Sequence, residues 1–450
     1  MNEVQLLEDI AQRPVNSRAW QYLKLSGPGW LQGAMTLGGG SAITSLTIGA
    51  VYGYELLWVQ PVSMLIGCIM LFSLSHQTLS TGKKPFQAFR DHVHPSLAWL
   101  WAVSALLSSI IWGFSHYPLS AGMFEELISV STGFDLKAEG GLGRELYLFV
   151  LAVIVWAVCA TTAWHYGKGG RTVFLFENSV KFLSLMIVGC FAWVVVESSM
   201  RGQIDWGAVL RGYIPSSLPS DSAGLTTVMA ALGTAVGINM TFVYGYTLLN
   251  RHWGRSHREL ARYDIVIGLV VPYLLVTGLM SIAAAGVLYG GEVTVSGRLS
   301  PEMATGLFAE AGISEVASRL IFSLGILGMA AGSLVMHMLC CGSAAAELFG
   351  WEHQSRKYQW ALLLPTPAVL GVFFWSSMGP YVILPTSAIC GFLLPIAYVG
   401  WLLLNNNRAY LGSDMPVGSR RFIFNMAMIL CIATVLASVI YTTFVKLSGA

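Results

Sequence analysis

Long apolar runs alternate along the chain with short polar connections rich in Gly, Asn, Lys and Arg. A helix needs about 20 predominantly apolar residues to cross the ~30 Å hydrocarbon layer of a bilayer. On that measure the pattern predicts eleven spanning helices, at about 27–52, 56–80, 97–127, 146–165, 172–196, 222–250, 263–289, 318–347, 359–376, 379–404 and 421–446. The connections "TGKKPFQ", "GKGGR", "YGGEVTVSGRLSPE" and "NNNRAYLGSDMPVGSR" carry turn chemistry. Only 129–145, 198–220 and 290–317 are sizeable, and none is large enough for a separate domain, so residues 1–450 read as a single transmembrane domain.

Two of the predicted spans are interrupted. The first contains "AMTLGGGSAITSL", in which Gly38, Gly39 and Gly40 precede Ser41. The sixth weakens at "GTAVGINMTF", around Gly233 and Gly237. These breaks lie five spans apart, at matching positions of two five-helix halves, about 27–196 and 222–404, with the eleventh helix outside the repeat. Paired Gly-interrupted helices point to an inverted-repeat transporter with a site near the midplane. A lone Gly in a membrane helix usually serves close packing, as in "GILGMAAG" of the eighth span. A glycine run with a partner break asks for more than packing.

Composition agrees with a membrane protein: 55% of the residues are hydrophobic and 11% charged, against about 25% charged in soluble domains. The N-terminal "MNEVQLLEDIAQRPVNSRAW" is polar and acidic at its start and does not read as a secretory signal. All seven cysteines lie in apolar segments without metal-ligand spacing, and read as buried thiols. With the N-terminus inside, 17 Lys and Arg fall on the inner side and 7 on the outer, Lys181 lying within a span. This bias predicts a cytoplasmic N-terminus and an outer C-terminus, in a bacterial inner membrane. It also explains "NRHWGRSHRELAR" as an inner loop, so no nucleic-acid partner is expected beside the lipid bilayer. The oligomeric state is not readable.

No P-loop, GxSxG or HExxH motif is present, and no ATP-binding half. An enzyme would need a convergent nucleophile and base, and a receptor a long ligand-binding segment. The chain therefore reads as a transporter without cofactor, driven by a gradient or passive.

Several stretches resemble one family in order along nearly the whole chain: "GPGWLQGAMTL", "YGYELLWVQPVSMLIG", "GTAVGINMTFVYGYTLL", "LGILGMAAGSLVMHMLCCG" and "LPTSAICGFLLPIAYVGWLLLNNNRAYLG". They resemble the NRAMP family of proton-coupled divalent-metal transporters. The resemblance implies an all-α LeuT-like inverted repeat of five plus five helices with eleven spans, alternating access, and a site between broken helices 1 and 6. The family's signature residues do not follow. Where its helix 1 carries Asp-Pro-Gly-Asn, this chain has Gly38, Gly39, Gly40 and Ser41, and where helix 6 carries Met-Pro-His it has Gly237, Ile238 and Asn239. The acidic helix 3 positions fall around "GFSHYPLSAG", which offers His116, and the helix 10 amide falls near Leu393.

Divalent cations usually take at least one carboxylate, and an uncompensated charge at mid-membrane costs several kcal/mol. A helix resuming after a break presents unpaired N–H groups and the positive end of its dipole. The expected substrate is therefore a small anion, bicarbonate first and a small carboxylate or amino acid behind it, with no resident metal. It would be held by Gly38, Gly39, Gly40, Ser41, Gly237, Asn239, Thr241 and Tyr244. The alternative is the family's own cargo, a divalent metal ion such as Mn²⁺, Mg²⁺ or Fe²⁺. Candidates for coupling are the imidazoles His116 and His337 and the pair Glu177 and Lys181, spaced as a helix-surface ion pair or as pathway charges.

Overall fold

The computed structural model describes residues 3–134, 141–166, 171–216, 218–290, 315–374 and 380–448, and their regular structure is helical. Helices α1 (Glu3–Gln12) and α2 (Val15–Leu25) precede the first span and bury Leu7, Ile10 and Tyr22, which hydropathy alone does not foretell. The first span is two helices, α3 (Pro28–Thr36) and α4 (Gly39–Tyr52), meeting at 53°. Next come α5 (Val59–Thr81), α6 (Pro85–His92), α7 (Pro95–Thr132), α8 (Gly141–Tyr166), α9 (Arg171–Met200) and α10 (Trp206–Gly212). The sixth span is likewise split, into α11 (Ser222–Ala235) and α12 (Ile238–Asn250). α13 (Arg258–Ile265) passes through a π-helical turn, Val266–Val270, into α14 (Val271–Val287). The remainder is α15 (Glu315–Phe349), α16 (Arg356–Ala361), α17 (Pro380–Asn405), α18 (Arg408–Leu411) and α19 (Gly418–Ser448).

Among the described residues, nine helices are long and apolar enough to cross a membrane, and the bent α3–α4 pair makes a tenth. The expected span 359–376 is not one continuous helix. After α16 the chain passes through turns into a 3-10 helix, Thr366–Gly371, around Pro365 and Pro367, which remove two amide donors. Residues 375–376, the charges Lys137, Lys168 and Arg298, and most of the 290–317 connection lie outside the described residues.

Burial separates the centre from the periphery. The α11–α12 stretch is 94% buried, whereas the apolar stretch of α19 is 17% buried. α8, α9 and α19 turn Val158, Phe174, Leu185, Leu430 and Ile440 outward, as lipid-facing helices do. Inside, small residues let backbones meet. A Cβ on Gly33 of α3 would stand 2.3 Å from the Gly268 carbonyl oxygen, and one on Gly233 of α11 would stand 2.0 Å from that of Ser387 on α17. The two broken spans are thus clamped from outside while their breaks face each other.

Charge gathers at the two ends. At one end Arg18 pairs with Glu259, Lys84 with Glu347, Arg251 with Glu177, and both Arg255 and Arg258 with Asp414. At the other, Arg144 holds Glu125 and Arg319 holds Glu126, tying α7 to α8 and α15.

Candidate functional site

The first break is made by local backbone. Leu37 leaves the helical region (φ −80°, ψ 51°) while its N–H still donates to the Gly33 carbonyl at 2.8 Å. Gly38 is extended (φ −97°, ψ −175°), and α4 resumes with no side chain capping its first turn. Ser41 does not cap; its hydroxyl donates back across the break to the Thr36 carbonyl. In the second break Val236 and Gly237 are extended between α11 and α12. The Thr36 hydroxyl donates to the Ala235 carbonyl at 3.0 Å and joins the two breaks.

Between them lies a cavity of about 20 Å³, room for about one water-sized particle. Thr36, Ser41, Asn239, Ser333, His116 and His337 supply its polar wall, and Met35, Met240 and Trp112 its softer side. Among the described residues no carboxylate, ammonium or guanidinium lines it.

The hydrogen bonds assign both imidazoles. His116 Nδ1 lies 2.9 Å from the Trp112 carbonyl. A carbonyl only accepts, so Nδ1 carries the proton and Nε2 of the neutral ring presents a lone pair. That Nε2 is buried without a hydrogen-bond partner among the described residues. His337 is saturated instead. Asn239 Oδ1 accepts from the Met240 N–H at 3.0 Å, which turns Nδ2 to donate to His337 Nδ1 at 3.0 Å. His337 Nε2–H then donates to Ser333 Oγ at 3.2 Å, and Ser333 donates to the Met35 carbonyl at 3.2 Å. The two rings stand edge to face, 5.5 Å apart, with Trp112 stacked on His337.

The glycines make room for these groups. A Cβ on Gly38 would lie 2.7 Å from His116 Nε2 and 3.0 Å from Ser333 Oγ, and one on Gly40 would lie 2.5 Å from the Trp112 ring. Beside the position where the resembled family keeps its aspartate, this chain has an imidazole.

Of the expected site residues, the cavity brings together Gly38, Gly40, Ser41, Gly237, Asn239, His116 and His337. Gly39 instead faces Leu119, 2.2 Å from where its Cβ would be. Thr241 donates to the Ile238 carbonyl at 2.6 Å and accepts from Trp101 Nε1 at 3.2 Å, outside the cavity. Tyr244 is buried in the core, away from the cavity, and its hydroxyl has no partner among the described residues. The Glu177–Lys181 ion pair does not form. Glu177 accepts from Arg251 at 2.5 Å, and the Lys181 ammonium stands 5.5 Å over the Trp30 ring. The pull of a guanidinium outweighs the helical spacing.

Trp112, Ser333, Met35 and Met240 belong to the cavity and carry no sequence signal, because their types are ordinary in apolar helices. Asp264 also escapes the sequence reading. Fully buried, it accepts from the Gly27 N–H at 2.9 Å and the Gly29 N–H at 2.5 Å, fastening the start of α3 to α13. Its signal was an acid inside the apolar seventh span.

The sequence matches the natural resistance-associated macrophage protein-like family over residues 29–444. The chain is 23% identical over 406 residues to the divalent metal cation transporter MntH of Pectobacterium carotovorum subsp. carotovorum (strain PC1), covering 87% of this chain and 88% of that one. The fold is similar to that of the Eremococcus coleocola manganese transporter, with TM-score 0.70 at 14% identity over 96% of this chain and 93% of that one. It is also similar to MhsT in complex with L-phenylalanine, with TM-score 0.63 at 13% identity over 92% and 98%. The chain belongs to the natural resistance-associated macrophage protein family, and is a polytopic secondary transporter built on the LeuT-like inverted repeat.

Proposed function

We propose that this chain carries a divalent transition-metal cation through the cavity between the two breaks, as one transport domain whose two five-helix repeats alternate around it. Relatives named as divalent metal cation and manganese transporters support the class of cargo. The observation that carries the reading is His116 Nε2, a buried lone pair at a water-sized cavity. A lone pair binds a Lewis acid and repels an anion. Asn239, Met35 and Met240 line the same cavity, the Met240 sulfur 3.3 Å from the Thr36 hydroxyl. α3 and α11 end at the breaks with their negative dipole poles, and α4 and α12 begin there with positive ones, so poles of both signs meet at the cavity and the side-chain donors decide the preference. Imidazole, thioether and carbonyl donors favour Fe²⁺, Co²⁺, Ni²⁺ and Zn²⁺ over Mg²⁺ and Ca²⁺, which prefer carboxylate cages.

A monatomic anion is the second reading, favoured by the start of α4, where no side chain caps the amides of the first turn. The expected bicarbonate finds less support, because a planar oxyanion exceeds a cavity of about 20 Å³ unless the helices part. Uptake into proteoliposomes tests the reading, with Co²⁺, Mn²⁺, Mg²⁺, chloride and bicarbonate measured separately. Saturable Co²⁺ or Mn²⁺ uptake without anion flux is expected. Saturable chloride or bicarbonate flux without metal uptake would overturn it.

A further inference from the structure

A second pocket, of about 520 Å³, opens at the basic end of the bundle between α5, α13, the α18–α19 connection and α19. Its volume is that of a small-molecule site. Arg258, Arg262, Arg420 and His76 line it together with Phe72 and Phe424, Phe72 one turn from His76 on α5 and Phe424 one turn from Arg420 on α19. Asp414 is the carboxylate on its rim, and it is already neutralised by Arg255 at 2.6 Å and Arg258 at 3.1 Å. Burial works the other way, yet the two guanidinium groups hold the Asp414 carboxyl below the ordinary carboxylate range. It therefore stays anionic and keeps Arg258 in place. The side chains of Arg262 and Arg420 have no ion pair or hydrogen bond among the described residues. His76 bonds the Asp414 carbonyl through Nε2 at 3.2 Å and leaves Nδ1 unpartnered.

The lining thus carries three guanidinium groups against one carboxylate, beside the apolar Phe72, Met415, Pro416, Val417 and Phe424. Next to it, α19 turns Phe422 and Ile423 outward, each 66% exposed, so the pocket borders a lipid-facing surface. Guanidinium groups match phosphate oxygens in a fork geometry, and basic pockets between membrane helices suit anionic headgroups. An inorganic phosphate would gain nothing from the phenyl groups.

We propose that this pocket binds the phosphate headgroup of an anionic phospholipid, with Arg262 and Arg420 on the phosphate and Phe72 and Phe424 against the glycerol and upper acyl chains. The site is independent of what the central cavity carries. It would tether α5, α13 and α19, three helices that approach one another at this end.

Native mass spectrometry of the full chain in detergent tests it, with phosphatidylglycerol, phosphatidylcholine of equal chain length, and inorganic phosphate as probes. Phosphatidylglycerol should be retained over phosphatidylcholine. That preference should fall about fivefold with each of Arg262→Ala and Arg420→Ala. Arg356→Ala, an exposed site elsewhere on this chain, should leave it unchanged. Both pocket arginines are exposed, so the double variant should unfold at the wild-type temperature in lipid-free detergent. Equal retention of the two lipids, or an unchanged preference in the double variant, would overturn the proposal. Displacement of phosphatidylglycerol by inorganic phosphate would also overturn it, by assigning the pocket to a soluble anion.

Discussion

The central cavity and the basic end of the bundle both hold buried polar groups, and they satisfy them in opposite ways. Around the cavity every lining group is formally neutral, and one lone pair is left over. At the basic end the buried acids are ionic partners or clamps: Glu177 under Arg251, and Asp264 on the amides of Gly27 and Gly29. A fixed charge at mid-membrane is costly unless paired, whereas one near the surface draws on water and counter-charge. This chain keeps its charges where helices are fastened and its dipoles where an ion would sit. α3 and α12, whose breaks shape the cavity, are both fastened at the basic end, by Asp264 and through Arg251.

The sharpest way to break this contrast is to remove the lone pair. His116→Ala should lower saturable metal uptake in proteoliposomes by at least the ~10–100-fold typical of disturbing a metal ligand's surroundings. Its folding, read by size-exclusion chromatography, should stay intact. A smaller effect is expected at the clamp. Asp264→Ala strips two buried amides of their carboxyl acceptor and should cost about 2–3 kcal/mol, read as a lower unfolding temperature in detergent. Arg251→Ala leaves Glu177 without its cation, but Arg251 is partly exposed, so about 1–2 kcal/mol is expected from the same assay. The smallest change belongs to Lys181. Lys181→Ala removes a cation–π contact worth about 0.5–1 kcal/mol, and uptake should be unaffected if Lys181 is no part of the ion path.

The fold was largely legible because its determinants are local. Apolar length sets the spans, and glycines at Gly38–Gly40 and Gly237 mark the breaks. The expected 359–376 span is not one continuous helix over its described residues, because Pro365 and Pro367 interrupt a run that is apolar enough for one. The site was half legible. Gly38, Ser41 and Asn239 follow from the breaks, but the partner of Glu177 lies 74 residues away and displaces the neighbour that helix spacing proposed. His116 was visible as a buried imidazole, but its proton position depends on the Trp112 carbonyl, and its nearness to Gly38 on how α7 packs. That proton position moves the reading from anion to cation.

Cobalt binding to the purified protein therefore tests the central claim most directly, followed by calorimetry and by the visible ligand-field bands of the bound ion. Wild-type protein should bind Co²⁺ with an imidazole-perturbed spectrum, His116→Ala should lose both the bands and about tenfold or more in affinity, and Lys181→Ala should keep both. Identical Co²⁺ affinity and spectrum in wild type and His116→Ala would contradict the account.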